Sequence, residues 1–182
     1  MAAAPTFLSI AGSDPSGGAG LQADLRTAAA HGLFGCGVVT AVTVQNRRGV
    51  LRSEPVDADL VAAQFAAILE DGSLAAIKTG MLATAAIVRV VGDLLATTQA
   101  PLVVDPVFTS SSGAVLLEGD LVSLYREHLF GHATLVTPNY DEAAAFLGCA
   151  PEDVAQAPEH AAAELGRDVP TLLTGGHASG RP

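Results

Sequence analysis

A chain of 182 residues, 49% apolar and 15% charged, can bury one sizeable core and carries too few charges to stay disordered. Lys plus Arg number 9 against 19 Asp plus Glu, a net charge of -10, so the surface repels a phosphate backbone and nucleic-acid binding is excluded as the main role. The chain has no tryptophan, and its 2 cysteines, Cys36 and Cys149, show neither metal spacing nor a disulfide framework.

Residues 1–12 lack the basic start and long apolar stretch of a signal peptide, and no apolar run approaches the ~20 residues that span a bilayer. The expectation is a cytoplasmic protein with no membrane partner.

The first predicted strand is Phe7 to Ala11, followed by a glycine-rich turn. Leu21, Leu25 and Ala28–Ala29 then recur at helical spacing, and the β-branched run Val38 to Val44 predicts a second strand. Asp57 is a candidate N-cap for a helix whose apolar face is Val61, Phe65, Ile68 and Leu69. Ala75 to Thr79 predicts a strand, Ile87, Val88, Val91 and Leu94–Leu95 a helix, and Leu102 to Val107 a strongly apolar strand.

Leu121, Leu124, Tyr125 and Leu129 predict a helix ending near Gly131. Thr134 to Thr137 predicts a strand stopped by Pro138, and Asp141 to Leu147 a helix capped by Gly148. An alanine-rich helix fits about 152–165, interrupted or split by Pro158, before a last strand at Thr171 to Thr174. Strand and helix alternate through short loops with no internal repeat. The pattern implies a single α/β domain with a mostly parallel sheet covered on both faces, and ligands at the carboxyl ends of the strands.

The polar residues just after those strands are therefore the candidate site. The loop from Gly12 to Gly20 follows a strand and opens a helix, as a ligand cradle or as a tight structural turn. It is neither a Walker A loop nor a dinucleotide-binding turn. Gln45, after the second strand, can donate and accept together, which suits the edge of an aminopyrimidine; a polar strand end facing water fits as well. Lys78 either neutralises a phosphate or lies on the surface, and Met81 lines a pocket or fills the core.

Asp105, closing an apolar strand before Pro106, points into the ligand crevice or forms the turn. Asn139 and Glu142 have the spacing of a capping box and also the oxygens for a hydrated magnesium ion. His31, His128, His132 and His160 show no metal-like pairing, and His177 follows a Gly-Gly turn.

The run Ile10-Ala-Gly-Ser-Asp-Pro-Ser-Gly-Gly-Ala-Gly-Leu-Gln-Ala-Asp24-Leu resembles the opening signature of the hydroxymethylpyrimidine and phosphomethylpyrimidine kinases of thiamine synthesis. Thr40 to Asn46, Lys78 to Leu82, Val104 to Val107 and Thr137 to Ala143 resemble that family's later motifs in the expected order, so the likeness covers about residues 6–177. It implies a three-layer ribokinase-like α/β fold and ATP-dependent phosphorylation of a pyrimidine alcohol and its monophosphate, with Mg²⁺. A small-molecule pyrimidine is the implied partner, with self-association allowed.

By the same resemblance, Gln45 and Asp24 read the pyrimidine, with Gly12, Met81 and Val107 near its ring. Asp105, Asn139, Thr174 and Gly175 serve the phosphates and nucleotide, and Glu142 holds the metal through water. Thr174 stands where the family often has a lysine. The family's Gly-Thr-Gly loop and the base after it are expected beyond Pro182, so the chain is expected to lack the C-terminal part of its domain and most of its kinase activity. Two rivals share many of these features: a pyridoxal kinase-like enzyme and a non-catalytic pyrimidine-binding protein. The Gln45 motif favours the pyrimidine. A nucleotide-binding oxidoreductase lacks its fingerprint here.

Overall fold

A computed structural model describes residues 4–108 and 121–175. The elements in chain order are β1 (Thr6–Ser13), α1 (Gly20–Ala30), β2 (Phe34–Asn46), β3 (Gly49–Pro55), α2 (Ala58–Glu70), β4 (Ala76–Thr79), α3 (Ala85–Leu95) and β5 (Leu102–Val104). They continue with α4 (Leu121–His128), β6 (Leu135–Val136), α5 (Tyr140–Leu147), α6 (Pro151–Gln156) and α7 (Pro158–Leu165). A short 3-10 turn at Phe130–His132 joins α4 to β6.

The strands form one 6-stranded sheet in the order β3-β2-β1-β4-β5-β6. Every pairing is parallel except the antiparallel β2–β3 hairpin. From β1 the chain steps outward to β2 and then crosses back to β4. Right-handed crossovers in opposite directions put α1 on one face and α2, α3 and α4 on the other. In keeping with this, α1 packs on β1 and β2, while α2, α3 and α4 lie against one another in sequence. Leu8, Ile10, Val38, Ile77 and Val104 are fully buried in the sheet, and Phe65, Ile87, Val91 and Leu129 cover it.

Local chemistry sets the helix ends. The Asp57 side chain accepts from the Asp59 N–H, and Thr84 does the same for Ile87. Gly148 ends α5 at φ 68, a left-handed conformation that glycine adopts without a Cβ penalty. Pro158 splits the predicted 152–165 helix into α6 and α7, because its ring cannot continue the preceding helical ladder. Among the described residues no helix is long and apolar enough to cross a membrane.

Three expectations are corrected. The strand predicted to reach Val107 stops at Val104: the Asp105 N–H still bonds the Thr79 carbonyl at 2.9 Å, but Pro106 has no N–H to extend the ladder. The strand predicted at Thr171 to Thr174 forms a single bridge, Val136 to Thr171. It runs beside β6 through the Leu172 and Thr174 N–H groups, while Pro138 and Pro170 deny it a continuous ladder. Third, β2 is longer than predicted and turns at Arg47-Arg48 into β3, an edge strand whose side chains are mostly exposed.

The turn into α1 depends on Gly20. It sits at φ 55, and a Cβ there would lie 2.3 Å from the Gly12 carbonyl oxygen. Gly20→Ala is expected to destabilise the fold by about 2 kcal/mol, from left-handed strain plus the clash with backbone. Urea unfolding checks this; a midpoint equal to wild type would mean that the loop can move aside.

Candidate active site

The parallel strands end at one sheet edge, and a cavity of ≈ 220 Å³ opens there. Gly12, Ser13 and Asp14 reach it from β1, and Thr43, Gln45 and Val50 from the β2–β3 hairpin. Lys78, Gly80 and Met81 come from the end of β4, Asp105 and Val107 from beyond β5. Five residues proposed from sequence, Gly12, Gln45, Met81, Asp105 and Val107, thus meet around one space. The Gly12 backbone is close to the Met81 methyl, which would lie 2.4 Å from a Cβ at that position. Thr43 Oγ1 lies 2.9 Å from the Ser13 carbonyl oxygen and 3.3 Å from Gln45 Oε1, which ties the hairpin to the end of β1.

Asp24 is placed differently. It is not among the residues lining the cavity, and its oxygens are engaged by protein: Ser9 Oγ donates at 2.6 Å and Lys78 Nζ lies 3.2 Å from both. Lys78 is neither a free cation nor a surface residue. It is also 3.3 Å from Asp105, so an acid–base–acid bridge links α1, β4 and the end of β5. Burial pushes the Asp105 carboxyl up; Lys78 opposes the shift and Asp24 adds to it.

The glycine-rich loop folds around its own carboxylate. Asp14 accepts from the Ser16, Gly18 and Ala19 N–H groups at 2.8, 2.9 and 2.9 Å and from the Ser16 hydroxyl at 3.0 Å. Burial pushes this carboxyl up, but the hydrogen bonds prevail and hold it below the ordinary range. The donors that could cradle an anion are therefore already used, which favours the structural-turn reading of those N–H groups.

Next along the same edge, Asn139 and Glu142 form a complete capping box. Asn139 Oδ1 accepts from the Glu142 N–H at 2.9 Å, and Glu142 Oε2 accepts from the Asn139 N–H at 2.8 Å. Glu142 is nevertheless 5% exposed, unusual for a capping-box acid on a helix surface. Burial lifts its pKa to about 7, the Asp105 and Asp141 charges add to the rise, and the Asn139 and Phe108 N–H groups oppose it.

Asp105 and Asn139 follow neighbouring parallel strands, so they share an edge, and Asp105 is close enough for its charge to act on Glu142. The Thr174 N–H and hydroxyl lie 2.8 and 3.2 Å from the Pro138 carbonyl oxygen, which brings Thr174 and Gly175 beside Asn139. His177 lies outside the described residues.

The surroundings of two members of this region, Lys78 and Tyr125, were not foreseen from sequence. The signal for the Lys78 bridge was a lysine in the otherwise buried Ala76-Ile77-Lys78-Thr79 strand, where an unpaired charge would be costly. The signal for Tyr125 was a hydroxyl on the apolar face of α4. Its side chain is fully buried, and its hydroxyl has no partner among the described residues.

A mostly parallel α/β sheet, with polar strand ends converging on a small cavity at its carboxyl edge, defines a small-ligand-binding protein of the ribokinase-like class. The chain belongs to the phosphomethylpyrimidine kinase family, whose model matches residues 14–182. It is 44% identical over 177 residues to a hydroxymethylpyrimidine/phosphomethylpyrimidine kinase of Streptomyces coelicolor, an alignment that covers 97% of this chain and 66% of that protein. The chain thus spans just under two thirds of that relative's length.

Among solved structures, the phosphomethylpyrimidine kinase of Clostridium difficile superposes with a TM-score of 0.82 at 36% identity, covering 97% of this chain and 78% of that one. A Staphylococcus aureus pyridoxal kinase in complex with AMP-PCP and pyridoxal superposes with a TM-score of 0.79 at 28% identity, covering 94% and 62%.

Proposed function

We propose that this chain supplies the substrate side of a kinase that transfers the terminal phosphoryl group of ATP to the hydroxymethyl group of 4-amino-5-hydroxymethyl-2-methylpyrimidine, and then to the resulting monophosphate, with little transfer by residues 1–182 alone. The observation that carries this reading is the cavity itself, which combines a bifunctional amide, Gln45, with the apolar Met81 and Val107 and an acid, Asp105, at one strand edge. An aminopyrimidine offers a donor and an acceptor side by side on one edge and an apolar face on the other side of the ring. Gln45 meets the edge, and Met81 and Val107 meet the ring. The named activity of the Streptomyces relative supports the substrate, and the AMP-PCP complex of the pyridoxal kinase supports an ATP-type donor on this fold.

In the transfer, the substrate hydroxyl oxygen forms a bond to the terminal phosphorus, the bond to the ADP oxygen breaks, and the hydroxyl proton leaves to a base. The developing charge needs neutralising, which magnesium supplies when bound. Asp105 and Glu142 fit that ion as hard oxygen donors at the phosphate side. Among the described residues no group of three or more His, Cys, Asp or Glu side chains could form a cage, and magnesium characteristically keeps several waters and takes one or two carboxylates. Asn139 and Thr174, at the same edge, would orient the nucleotide phosphates.

Gln45→Ala tests the assignment by calorimetry. Loss of a paired polar contact in a buried site should weaken hydroxymethylpyrimidine binding by about tenfold or more. Unchanged affinity would sink the role of Gln45. Pyridoxal binding more tightly than hydroxymethylpyrimidine to the wild-type protein would favour the pyridoxal kinase-like reading instead.

A further inference from the structure

Thr43 and Gln45 stand two positions apart on β2, so their side chains share the face that looks into the cavity. Thr43 is 6% exposed, and its hydroxyl carries one proton. Two oxygens face that hydroxyl: the Ser13 carbonyl at 2.9 Å and Gln45 Oε1 at 3.3 Å. One proton serves only one of them well, and the shorter contact takes it. Ser13 is a fixed acceptor. Gln22 Nε2 donates to its hydroxyl at 2.7 Å, and Gln22 Oε1 accepts the next N–H, that of Asp14, at 2.8 Å.

Gln45 Oε1 then meets a lone pair of Thr43 instead of a proton. A half turn of the terminal amide exchanges its oxygen and its nitrogen at nearly the same two places. The turned amide donates from Nε2 to Thr43 Oγ1, so the hydroxyl both donates and accepts. Among the described residues Thr43 is the one protein partner of this amide, so no other contact opposes the turn.

We propose that Thr43 is a specificity-determining residue: with its proton committed to Ser13, it fixes which end of the Gln45 amide donates and which accepts, and so selects a 4-aminopyrimidine over its 4-oxo counterpart. The 4-amino ring presents a donor at its amino group and an acceptor at the adjacent ring nitrogen. The 4-oxo ring reverses the order, with an acceptor at its oxygen and a donor at the ring N–H. A free amide would turn to match either ring, whereas an amide held by Thr43 matches one. The choice of ring rests on the pyrimidine-kinase reading; the orientation of the amide does not.

The first measurement is calorimetry of wild type, Thr43→Val and Thr43→Ser with hydroxymethylpyrimidine and with its 4-oxo counterpart. Wild type should bind the amino form more tightly. Thr43→Val, close in shape but without the hydroxyl, should lower the amino-to-oxo affinity ratio by about tenfold, and Thr43→Ser should keep it. A merely structural role would weaken both rings together. A wild type without preference for the amino ring, a ratio unchanged in Thr43→Val, or a ratio lost in Thr43→Ser overturns the proposal.

The second measurement uses no ligand and no variant. In nuclear magnetic resonance of the wild-type protein, one of the two Gln45 side-chain amide hydrogens should show a nuclear Overhauser contact to the Thr43 β-hydrogen or methyl group. Absence of such a contact from both hydrogens places the amide oxygen at Thr43 and overturns the proposal. Should wild type bind neither ring, the kinase reading falls and this measurement decides the role of Thr43.

Discussion

Lys78→Met is expected to destabilise the protein by about 3 kcal/mol, because it removes the one cation between two acids and leaves both uncompensated. The Lys78, Asp24 and Asp105 side chains are 20%, 16% and 34% exposed, so water screens the bridge in part, most at Asp105. Methionine matches the length of the lysine stem, so little of the loss comes from packing. In an Asp24→Asn background the same substitution should cost clearly less, since one carboxylate no longer needs the charge. Urea unfolding of the four proteins gives both numbers. A cost for Lys78→Met below about 1 kcal/mol, the range of exposed pairs, would show that the bridge is solvent-screened.

The second large effect concerns pH. The Glu142 pKa is raised from 4.5 to about 7 in the folded state. The folded protein therefore binds more protons than the unfolded chain between those values, and this group's contribution to stability falls as pH rises through that window. Below about pH 4.5 the carboxyl is neutral in both states and the penalty is absent. Above about pH 7 it reaches about 3 kcal/mol, the free-energy equivalent of the shift. Asp105, also raised, acts in the same sense, whereas Asp14, lowered, loses stability only as pH falls.

Glu142→Gln keeps an acceptor for the capping box and cannot ionise. Its stability relative to wild type should therefore improve by about 3 kcal/mol from pH 4 to pH 8 in magnesium-free buffer. Parallel stability–pH profiles for the two proteins would contradict the burial of a titrating carboxyl at this position.

The parts of this molecule that sequence discloses are those decided locally. Asp57 caps α2 and Gly148 ends α5 because each satisfies backbone groups within a few residues, and the Asn139–Glu142 spacing announced a capping box that is complete in the structure. The apolar strand runs announced the parallel sheet, whose common edge gathers Gly12, Gln45, Met81, Asp105 and Val107. What stayed hidden depends on distant partners. The resemblance put Asp24 at the pyrimidine, and only the fold brings Lys78, 54 positions along the chain, to it. β3 was missed because an exposed edge strand has no buried face to impose alternation, and its Leu-Arg-Ser-Glu core reads as loop. Glu142 gave no hint of its burial, because the capping-box spacing is the same for an exposed acid as for a buried one.

The carboxylate inside the Asp14 loop has a bearing on life among competing solutes. Cells hold inorganic phosphate, sulfate and many phosphorylated metabolites, all of which seek out clusters of unpaired N–H groups. The rim between β1 and α1 offers them none of the Ser16, Gly18 and Ala19 donors, since the tenant is built into the chain and carries the same sign of charge. A free anion arriving there meets a carboxylate of like charge in place of open donors. The phosphate of a ligand in this cavity must therefore find its donors elsewhere along the sheet edge, away from these three N–H groups.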